Sequence, residues 1–416
     1  MPETFYSTGC SGIGGQMKRR YADFIVEEIT KEGRTCKVEH FGGEFPEGKE
    51  MEVPPNPKDK EQLQLDMEKI NKDLNFCVSK LSRFIQCSRK RFGYAGMKDK
   101  RAVTCQRISI YRPDVTRLGK FRSMGIRLRN PEWSDERIEI GNLKGNKFTI
   151  KIRDIGLEEK EIKKRLKACF GEIKKNGIAN FFGEQRFGGI RKITHLVGRE
   201  FIRGNPEGAI MLYLTATAPQ EDEELKKARA ELAKTYDFSQ ASKAFPVKYR
   251  YERALIHHLC RYPKDYVGAF RALPKALRYL FTHAYQSHIF NKVIEKRIEN
   301  GWGLKKVEGD ILLDGKSAAP LFGFETELAK GEAGRVEKEA LEAEGIELTQ
   351  FKVKEMPELS SKGTRREIVL NPTSLKLEET GKDEFFPERK FAKISFELPK
   401  GCYATTVLRE IMKVEL

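Results

Sequence analysis

The chain has 416 residues, of which 39% are hydrophobic and 33% are charged, and its formal net charge is +17. This length predicts two domains rather than one simple core. No stretch reaches the roughly 20 apolar residues that a membrane-spanning helix needs, and residues 1–16 lack the apolar core of a signal peptide. We therefore expect a soluble, cytoplasmic protein that does not bind a membrane.

The positive charge is concentrated in one part of the chain. Residues 80–200 contain 31 Lys and Arg against 13 Asp and Glu, whereas the rest of the chain carries 47 basic and 48 acidic side chains. Such a local excess is typical of a site for a polyanion. Because the sequence shows no strongly basic amphipathic helix with an apolar face, it favours nucleic acid over a membrane surface.

The cysteines and histidines do not form a metal-binding pattern. Eight cysteines are scattered singly, without a C-x-x-C pair, and the six histidines do not fall at ligand spacing. The sequence therefore predicts no metal site and no disulfide framework, as is usual in a reducing compartment.

The N-terminal part of the chain combines strand and helix patterns. A helix is predicted for residues 74–85, with Asp73 as its N-cap and an apolar face that ends at Phe84 and Ile85. Alternating apolar residues predict strands over residues 24–26, 63–67, 104–111, 138–140 and 148–152.

Two glycine-containing segments lie beside these elements. Gly12–Gly15 is interpreted as a flexible lead-in, because no strand precedes it and no G-K-[ST] follows it. Gly141–Asn146 is interpreted as the turn of a hairpin that joins residues 138–140 to residues 148–152.

The remaining patterns predict an α+β fold that is interrupted by a mainly helical region. Predicted helices cover residues 157–175, 216–237, 274–298, 330–346 and 407–413, and a last strand covers residues 392–398. This order indicates an insertion that splits one sheet domain. We expect residues 1–179 and 383–416 to form that domain and residues 180–382 to form the insertion.

One acidic residue stands out within the basic region. Between Arg89 and Arg107 there are seven basic residues and a single acid, Asp99, which Lys98 and Lys100 flank. Two glycines just before it allow a tight, exposed turn. Neighbouring cations favour the charged form of a carboxyl group, so we expect Asp99 to be ionised at neutral pH.

Six segments of the chain carry a resemblance to one family: residues 23–27, 93–106, 145–148, 180–188, 284–291 and 398–410. In their sequences and in their order, they resemble the TruD-type tRNA pseudouridine synthases. The resemblance implies a mixed, largely antiparallel sheet domain of the pseudouridine synthase type, interrupted by an insertion domain. It also implies the conversion of a uridine in tRNA, usually at position 13, to pseudouridine without a cofactor, and we expect a monomer.

The resemblance also implies roles for individual residues. Asp99 falls on the essential aspartate of the family, and Asn146 falls on an active-site asparagine beside it, which would orient the carboxylate by a hydrogen bond. Phe148 falls where other pseudouridine synthase families have a tyrosine that stacks on the uracil.

Three further positions complete the implied site. Lys18 and Phe24 fall on active-site positions near the N-terminus, and Lys18 would pair with Asp99. Tyr403 matches an aromatic residue that is often Phe in the family, so the ring is preserved and a hydroxyl is added.

The chemistry explains why such a site needs one carboxylate. The reaction breaks the C1′–N1 bond of uridine and rejoins the uracil through C5. A carboxylate could attack C1′ as a nucleophile or remove a sugar proton to give a glycal, and the sequence leaves both open. A glycosidase generally needs a second carboxyl group, and none lies in the Asp99 segment. Aromatic rings could repay the cost of unstacking the base.

Two other functions are compatible with parts of the sequence. A non-catalytic RNA-binding or assembly protein would account for the positive charge but not for the surroundings of Asp99. A different RNA-modifying enzyme, such as a methyltransferase, would have to use Gly12–Gly15 as a cofactor loop.

Overall fold

The computed structural model describes residues 5–39, 51–57 and 60–414. Within these ranges the chain divides into two compact units. The sheet unit comprises Tyr6–Gly177 and the chain from Asn371 onwards, and the helical unit is built on Ile178–Leu370. None of the helices among these residues is long and apolar enough to cross a membrane.

The described residues in the first part of the sheet unit form six strands and three α-helices. They are β1 (Phe24–Thr30), β2 (Gln62–Ile70), α1 (Leu74–Phe84), β3 (Phe92–Tyr94), β4 (Val103–Tyr111), α2 (Val115–Gly119), β5 (Ile126–Ser134), β6 (Leu143–Ile155) and α3 (Glu159–Asn176). The strands predicted at residues 24–26, 63–67 and 104–111 are confirmed as parts of β1, β2 and β4.

The helical unit is built mainly from eight helices within its described residues. They are α4 (Thr194–Ile202), α5 (Pro206–Thr215), α6 (Glu223–Thr235), α7 (Phe238–Ala244), α8 (Arg250–Arg261), α9 (Tyr266–Arg271), α10 (Lys275–Glu299) and α11 (Gly331–Glu344). Its five short strands are β7 (Ile178–Ala179), β8 (Ile311–Leu313), β9 (Lys316–Leu321), β10 (Thr364–Glu367) and β11 (Val369–Leu370). The predicted helices at 216–237, 274–298 and 330–346 contain or match α6, α10 and α11.

The chain then returns to the sheet unit with β12 (Thr373–Lys382), β13 (Lys390–Pro399) and α12 (Ala404–Met412). The sheet has the order β12-β13-β6-β1-β4-β2-β5, and β3 pairs with β4 as an eighth strand. Among the described strands of this sheet, β1 and β4 run parallel, and the other pairs are antiparallel. The predicted α+β class, with a mixed and largely antiparallel sheet, is confirmed.

The end of the insertion differs from the prediction. β12 was expected to belong to the insertion, which was predicted to end at residue 382, but it pairs with β13 along the edge of the large sheet. The insertion begins at Ile178 and ends at Leu370, where β7 and β11 pair with each other. The boundary is therefore corrected to Leu370, because backbone pairing assigns β12 to the sheet.

The predicted hairpin at residues 138–152 is wrong. Residues 138–140 form no strand, and β6 instead pairs with β1 and β13. Among the strands of this sheet that the sequence patterns missed is β5, which pairs with β2 with a register shift between Gln64 and Asp66 of β2. Pro131 is tolerated in β5 because edge strands and bulges do not need every backbone donor.

Helix α1 covers one face of the sheet, as its apolar pattern predicts. Asp73 is its N-cap and accepts a hydrogen bond from the amide of Phe76 at 2.8 Å, which confirms the predicted start. Its buried side packs with alternate residues of β2, β4 and β5 into one hydrophobic core. Ile85 belongs to that core, but Phe84, which was also assigned to the buried face, is 43% exposed.

A buried arginine ties the N-terminal segment to the sheet. The guanidinium of Arg153 in β6 donates to both carboxylate oxygens of Asp23 at 2.8–2.9 Å and to Asp383 at 3.2 Å. All three side chains are almost fully buried. The backbone of Arg153 also exchanges two hydrogen bonds with Gln16. This cluster therefore fixes the path of residues 16–23.

Replacing Arg153 with Met should destabilise the protein strongly, because Arg153→Met leaves two buried carboxylates without their cation. We expect the free energy of unfolding to fall by about 3–5 kcal/mol, as measured by urea denaturation. The control is Arg112→Met, which removes an exposed ion pair with Glu61 and should change stability by less than about 1 kcal/mol. Equal losses in the two variants would contradict a structural role for the buried cluster.

Candidate active site

The Asp99 loop, residues 95–102, connects β3 to β4 and is held from below by three side chains. Gln106 donates to the carbonyl of Gly96 at 2.9 Å, and the ammonium of Lys69 donates to the carbonyl of Asp99 at 2.9 Å. Lys98 forms an ion pair of 2.7 Å with Glu28. The loop is therefore anchored near its start, at Gly96, and in its middle, at Lys98 and Asp99.

The sheet register explains why residues from distant parts of the sequence meet under this loop. Glu28 of β1 pairs with Asn146 of β6. Two residues earlier on β1, Val26 is level with Thr104 of β4, which in turn pairs with Lys69 of β2. Opposite residues on neighbouring strands share a face, as do alternate residues along one strand. Glu28, Asn146 and Lys69 therefore all point to the face that the Asp99 loop covers.

Lys69 is a fully buried cation that the sequence reasoning missed. Its ammonium donates to the carbonyl of Lys72 at 2.8 Å, in addition to that of Asp99, and lies 3.5 Å from the carbonyl of Lys98. Burial lowers the pKa of Lys69 to about 8, because an ammonium away from water loses its hydration. Lys69 is a positioning residue: it joins the start of α1 to the backbone of Asp99.

Lys98 does not act as the cation beside Asp99 that its place in the sequence suggests. Its side chain is 5% exposed and is paired with Glu28, which is 1% exposed. Burial raises the pKa of Glu28, and the charge of Lys98 opposes that shift. Glu28 is thus a second acid that the fold brings near the loop, but its partner is Lys98 and solvent does not reach it.

The cation that contacts Asp99 is Lys18. Its Nζ lies 3.3 Å from Oδ1 of Asp99, whose side chain is 38% exposed. Lys18 also lies 4.0 Å above the ring of Phe24. The backbone of Lys18 has a φ of 58°, a conformation that costs energy for a residue with a side chain. The structure thus places Lys18, Phe24 and Asp99 together.

Asn146 lies on the same face but does not orient Asp99 directly. Its Oδ1 is buried and has no hydrogen-bond partner among the described residues. Among the described residues, the side chain that donates to the Asp99 carboxylate is Lys18, so orientation of Asp99 by Asn146 is not seen in this structure and stays a prediction. A buried amide oxygen without a partner is costly, so Asn146 retains an unused capacity to accept a hydrogen bond.

Two of the three predicted aromatic residues form the floor of this region. The ring of Phe24 meets that of Phe148 edge-on at 6.2 Å, and Phe148 stacks against Phe396 of β13 at 5.5 Å. Phe24 and Phe148 are only 2% and 5% exposed. Both rings are therefore packed against other side chains, and base stacking by either one stays a prediction.

Tyr403 differs from these rings because it is partly exposed. It is the N-cap residue of α12, four residues after Pro399, which pairs with Gly145 at the end of β13. The backbone amide of Lys400 donates to the carbonyl of Lys144 at 3.2 Å. The turn that leads to Tyr403 is thus fixed to the start of β6, the strand that carries Asn146.

Gly12–Gly15 is not a flexible lead-in, which corrects that interpretation. The amides of Ile13 and Gly14 donate to the carbonyls of Ile411 and Met412 at the end of α12. Gly15 has a φ of 94° and lies so close to Arg153 that an added Cβ would be 2.6 Å from its carbonyl oxygen. These amides are used to terminate α12, so they are not free to bind the phosphates of a cofactor.

Together these residues make a site with one accessible carboxylate. Asp99 is partly exposed and pairs with the ammonium of Lys18, whereas Glu28 is buried beneath the loop. A mixed sheet with one such aspartate above a layer of aromatic rings is the arrangement expected of a pseudouridine synthase rather than of a two-carboxylate glycosidase.

Comparisons with known proteins agree with this class. The family model described as tRNA pseudouridine synthase D (TruD) matches residues 2–318 and 313–411. A protein from Methanosarcina acetivorans named "Probable tRNA pseudouridine synthase D" is 39% identical over 99% of this chain and 95% of its own length. One from Methanopyrus kandleri with the same name is 36% identical over 94% of this chain and 97% of its own length.

A solved structure also matches. The crystal structure of a Methanosarcina mazei protein named "Putative tRNA pseudouridine synthase D (TruD)" superposes with a TM-score of 0.79 at 37% identity, covering 99% of this chain and 96% of that one. The chain belongs to the TruD family, and the resemblance seen in its six sequence segments is confirmed.

The buried Lys69 gives a prediction for the pH dependence of stability. Its pKa is about 8 in the folded protein against 10.5 when exposed, so between these pH values the unfolded chain binds more protons. Stability must therefore rise with pH across this window, by up to about 3 kcal/mol from this group.

The Lys69→Met variant removes this contribution. We expect the difference in unfolding free energy, wild type minus variant, to increase between about pH 7 and pH 10, as measured by urea denaturation at each pH. The control is Lys80→Met, which replaces an exposed lysine on α1 and should give a difference that does not depend on pH. A constant difference for Lys69→Met would contradict the lowered pKa.

Proposed function

We propose that this protein is a tRNA pseudouridine synthase in which Asp99 is the catalytic residue. The observation that carries the proposal is the isolation of the Asp99 carboxylate: it is partly exposed, it contacts Lys18, and the nearby acid Glu28 is paired and buried. Membership of the TruD family supplies the reaction, an isomerisation of uridine in RNA.

The reaction needs no external reagent. The C1′–N1 bond of the uridine breaks, the uracil turns, and a C1′–C5 bond forms, while the proton on C5 is lost and N1 gains one. The atoms therefore balance without an oxidant, a metal or a cofactor. Asp99 either attacks C1′ as a nucleophile or removes a sugar proton, and both routes use its ionised form.

The surrounding residues have separate roles in this proposal. Lys18 pairs with Asp99 before the RNA binds and holds the carboxylate near the Phe24 ring. Asn146 lies on the sheet face that the Asp99 loop covers, and its side-chain amide can donate a hydrogen bond that orients the carboxylate during the reaction. Tyr403, the partly exposed ring, provides the stacking surface, while Phe148 supports the layer below it.

The substrate is proposed to be a tRNA, with position 13 as the target and the protein acting as a cytoplasmic monomer. The basic surplus of residues 80–200 supports a polyanionic partner. Part of that surplus is the exposed turn Arg89–Arg91, which joins the end of α1 to β3. A purely RNA-binding protein would share this charge but would have no need of the isolated Asp99.

Replacing Asp99 with Asn should abolish the reaction without preventing tRNA binding. The Asp99→Asn side chain keeps its size but cannot act as a nucleophile or base, so we expect the rate to fall by at least about 10³-fold. Chemical mapping of pseudouridine in a tRNA transcript measures the rate, and filter binding measures the Kd, which should change by less than about threefold.

The matched control is Asp135→Asn, which alters an exposed carboxylate outside the Asp99 loop and should leave the rate unchanged. Pseudouridine made by the Asp99→Asn variant would refute the assignment of the catalytic residue. Tight tRNA binding by a wild-type protein that makes no pseudouridine would favour the non-catalytic alternative.

Reversing the charges of the Arg89–Arg91 turn should weaken tRNA binding. Each lost phosphate contact lowers the slope of log K against log salt by about 0.7–0.9, so the triple Glu variant should show a slope reduced by about 2–3 units. Titrations at several salt concentrations measure this. An unchanged slope would place the phosphate contacts on another surface.

A further inference from the structure

The exposed side of α1 carries an alternation of aromatic and basic residues. Phe76, Lys80 and Phe84 follow one another at intervals of four, with Arg83 beside the last ring. Residues four apart lie on the same face of a helix, and each interval advances the chain by about 6 Å. Phe76 and Phe84 are 47% and 43% exposed. We call these four residues the α1 stripe.

The exposed phenylalanines of α1 are only partly explained by the core, because the ring of Phe84 meets that of the buried Phe121 edge-on at 5.3 Å but the side chain stays 43% exposed. The opposite side of α1 already supplies Leu74, Cys77, Val78 and Leu81 to the hydrophobic core. The two exposed rings instead line a groove with a volume of 750 Å³, which also includes Phe121 and Arg122. Exposed apolar side chains gathered in a groove indicate a binding surface.

The charges of the stripe lack acidic partners. Lys80 and Arg83 form no ion pair with any residue that the structure describes, although ion pairs engage many other surface cations of this protein. Asp73 is the acid that lines the groove, and one of its carboxylate oxygens is used to cap α1. The groove therefore presents an uncompensated positive charge between two aromatic rings.

The stripe is continuous with the Asp99 loop through the backbone. Lys69 donates to the carbonyls of both Lys72, just before α1, and Asp99. The amide of Asn71 also donates to the carbonyl of Ala102 at the end of the loop. The 11 residues of α1 then extend about 16 Å away from this junction. At 3.4 Å per stacked nucleotide, that length accommodates about five nucleotides.

We propose that the α1 stripe binds the nucleotides that flank the modified uridine, with their bases stacked on Phe76 and Phe84 and their phosphates beside Lys80 and Arg83. This inference rests on the proposed function, because it assumes that the RNA reaches Asp99. Alternating stacking rings and cations match an RNA strand, whose bases and phosphates alternate in the same way. A second copy of this chain fits less well, because a two-fold contact would bring like charges together.

A crosslinking experiment tests where the RNA lies. A photoreactive phenylalanine analogue is placed at position 76 or 84 in the full chain, and at Tyr262, an exposed ring of the helical unit, as the control. We expect crosslinks from positions 76 and 84 to tRNA nucleotides within about five positions of the modified uridine. Crosslinks that map elsewhere in the tRNA, or that are no more frequent than those from position 262, would overturn the proposal.

Binding measurements separate stacking from charge. The double variant Phe76→Ala/Phe84→Ala should raise the Kd for tRNA by about tenfold or more at every salt concentration, with an unchanged salt slope. The variant Lys80→Gln/Arg83→Gln should instead reduce the slope by about 1–2 units. Phe76→Tyr/Phe84→Tyr keeps both rings and should bind tRNA with the wild-type Kd, and an unfolding midpoint of the Ala variant equal to that of the unaltered protein excludes misfolding as the cause. An unchanged Kd in the Ala variant would overturn the proposal.

Pseudouridine formation and tRNA binding, measured with the same tRNA, separate a failure of this inference from a failure of the proposed function. If the unaltered protein makes pseudouridine and the Phe76→Ala/Phe84→Ala variant binds tRNA as tightly as the unaltered protein, the stripe is refuted and the enzymatic function stands. If the unaltered protein makes no pseudouridine, the enzymatic function is refuted. In that case tenfold weaker tRNA binding by the Ala variant still supports the stripe as an RNA contact, and unchanged binding refutes it.

Discussion

The buried ion pair between Lys98 and Glu28 is the interaction on which the candidate site depends. Two charges removed from water are costly unless they face each other closely, and here the ammonium and carboxylate are 2.7 Å apart. Because Lys98 is drawn under the loop, its neighbour Asp99 remains at the surface, where Lys18 reaches it. One buried pair therefore decides which of two adjacent charged residues can meet a substrate.

The same pair explains how one carboxylate remains alone although the fold brings a second one nearby. Glu28 shares a sheet face with Asn146 and lies under the Asp99 loop. If Glu28 were accessible, the site would hold two acids, as a hydrolytic glycosidase does. Because Glu28 is buried and paired with Lys98, it does not act as a second acid that activates a water molecule. The scaffold thus favours rearrangement of the base over its release.

Much of this arrangement is predicted from the sequence, but the buried charged residues Glu28 and Lys69 that support the Asp99 loop are not. The α+β class, the helix capped by Asp73 and the prominence of Asp99 follow from periodicity and local charge. Glu28 alternates with Phe24 and Val26 along β1, and Lys69 alternates with Leu65 and Met67 along β2. The alternation of side chains along each strand therefore places both residues on the buried face. They were overlooked because charged residues are seldom fully buried, and their partners come from a loop whose position depends on tertiary structure.

The lysines and the arginine discussed around the Asp99 loop and α1 therefore fall into three groups that differ in their exposure. Lys69 and Lys98 are buried and shape the Asp99 loop, and Lys18 is 18% exposed and contacts the carboxylate. Lys80 and Arg83 are exposed without acidic partners on α1. Sequence position does not separate these groups, since the buried Lys69 and the exposed Lys80 lie on either side of one turn. Burial separates them, because an ammonium that donates to backbone carbonyls cannot also bind a phosphate. The basic surplus of residues 80–200 therefore overstates the positive charge that is available to RNA. The exposed cations near α1 that lack acidic partners are the part of it that can attract RNA.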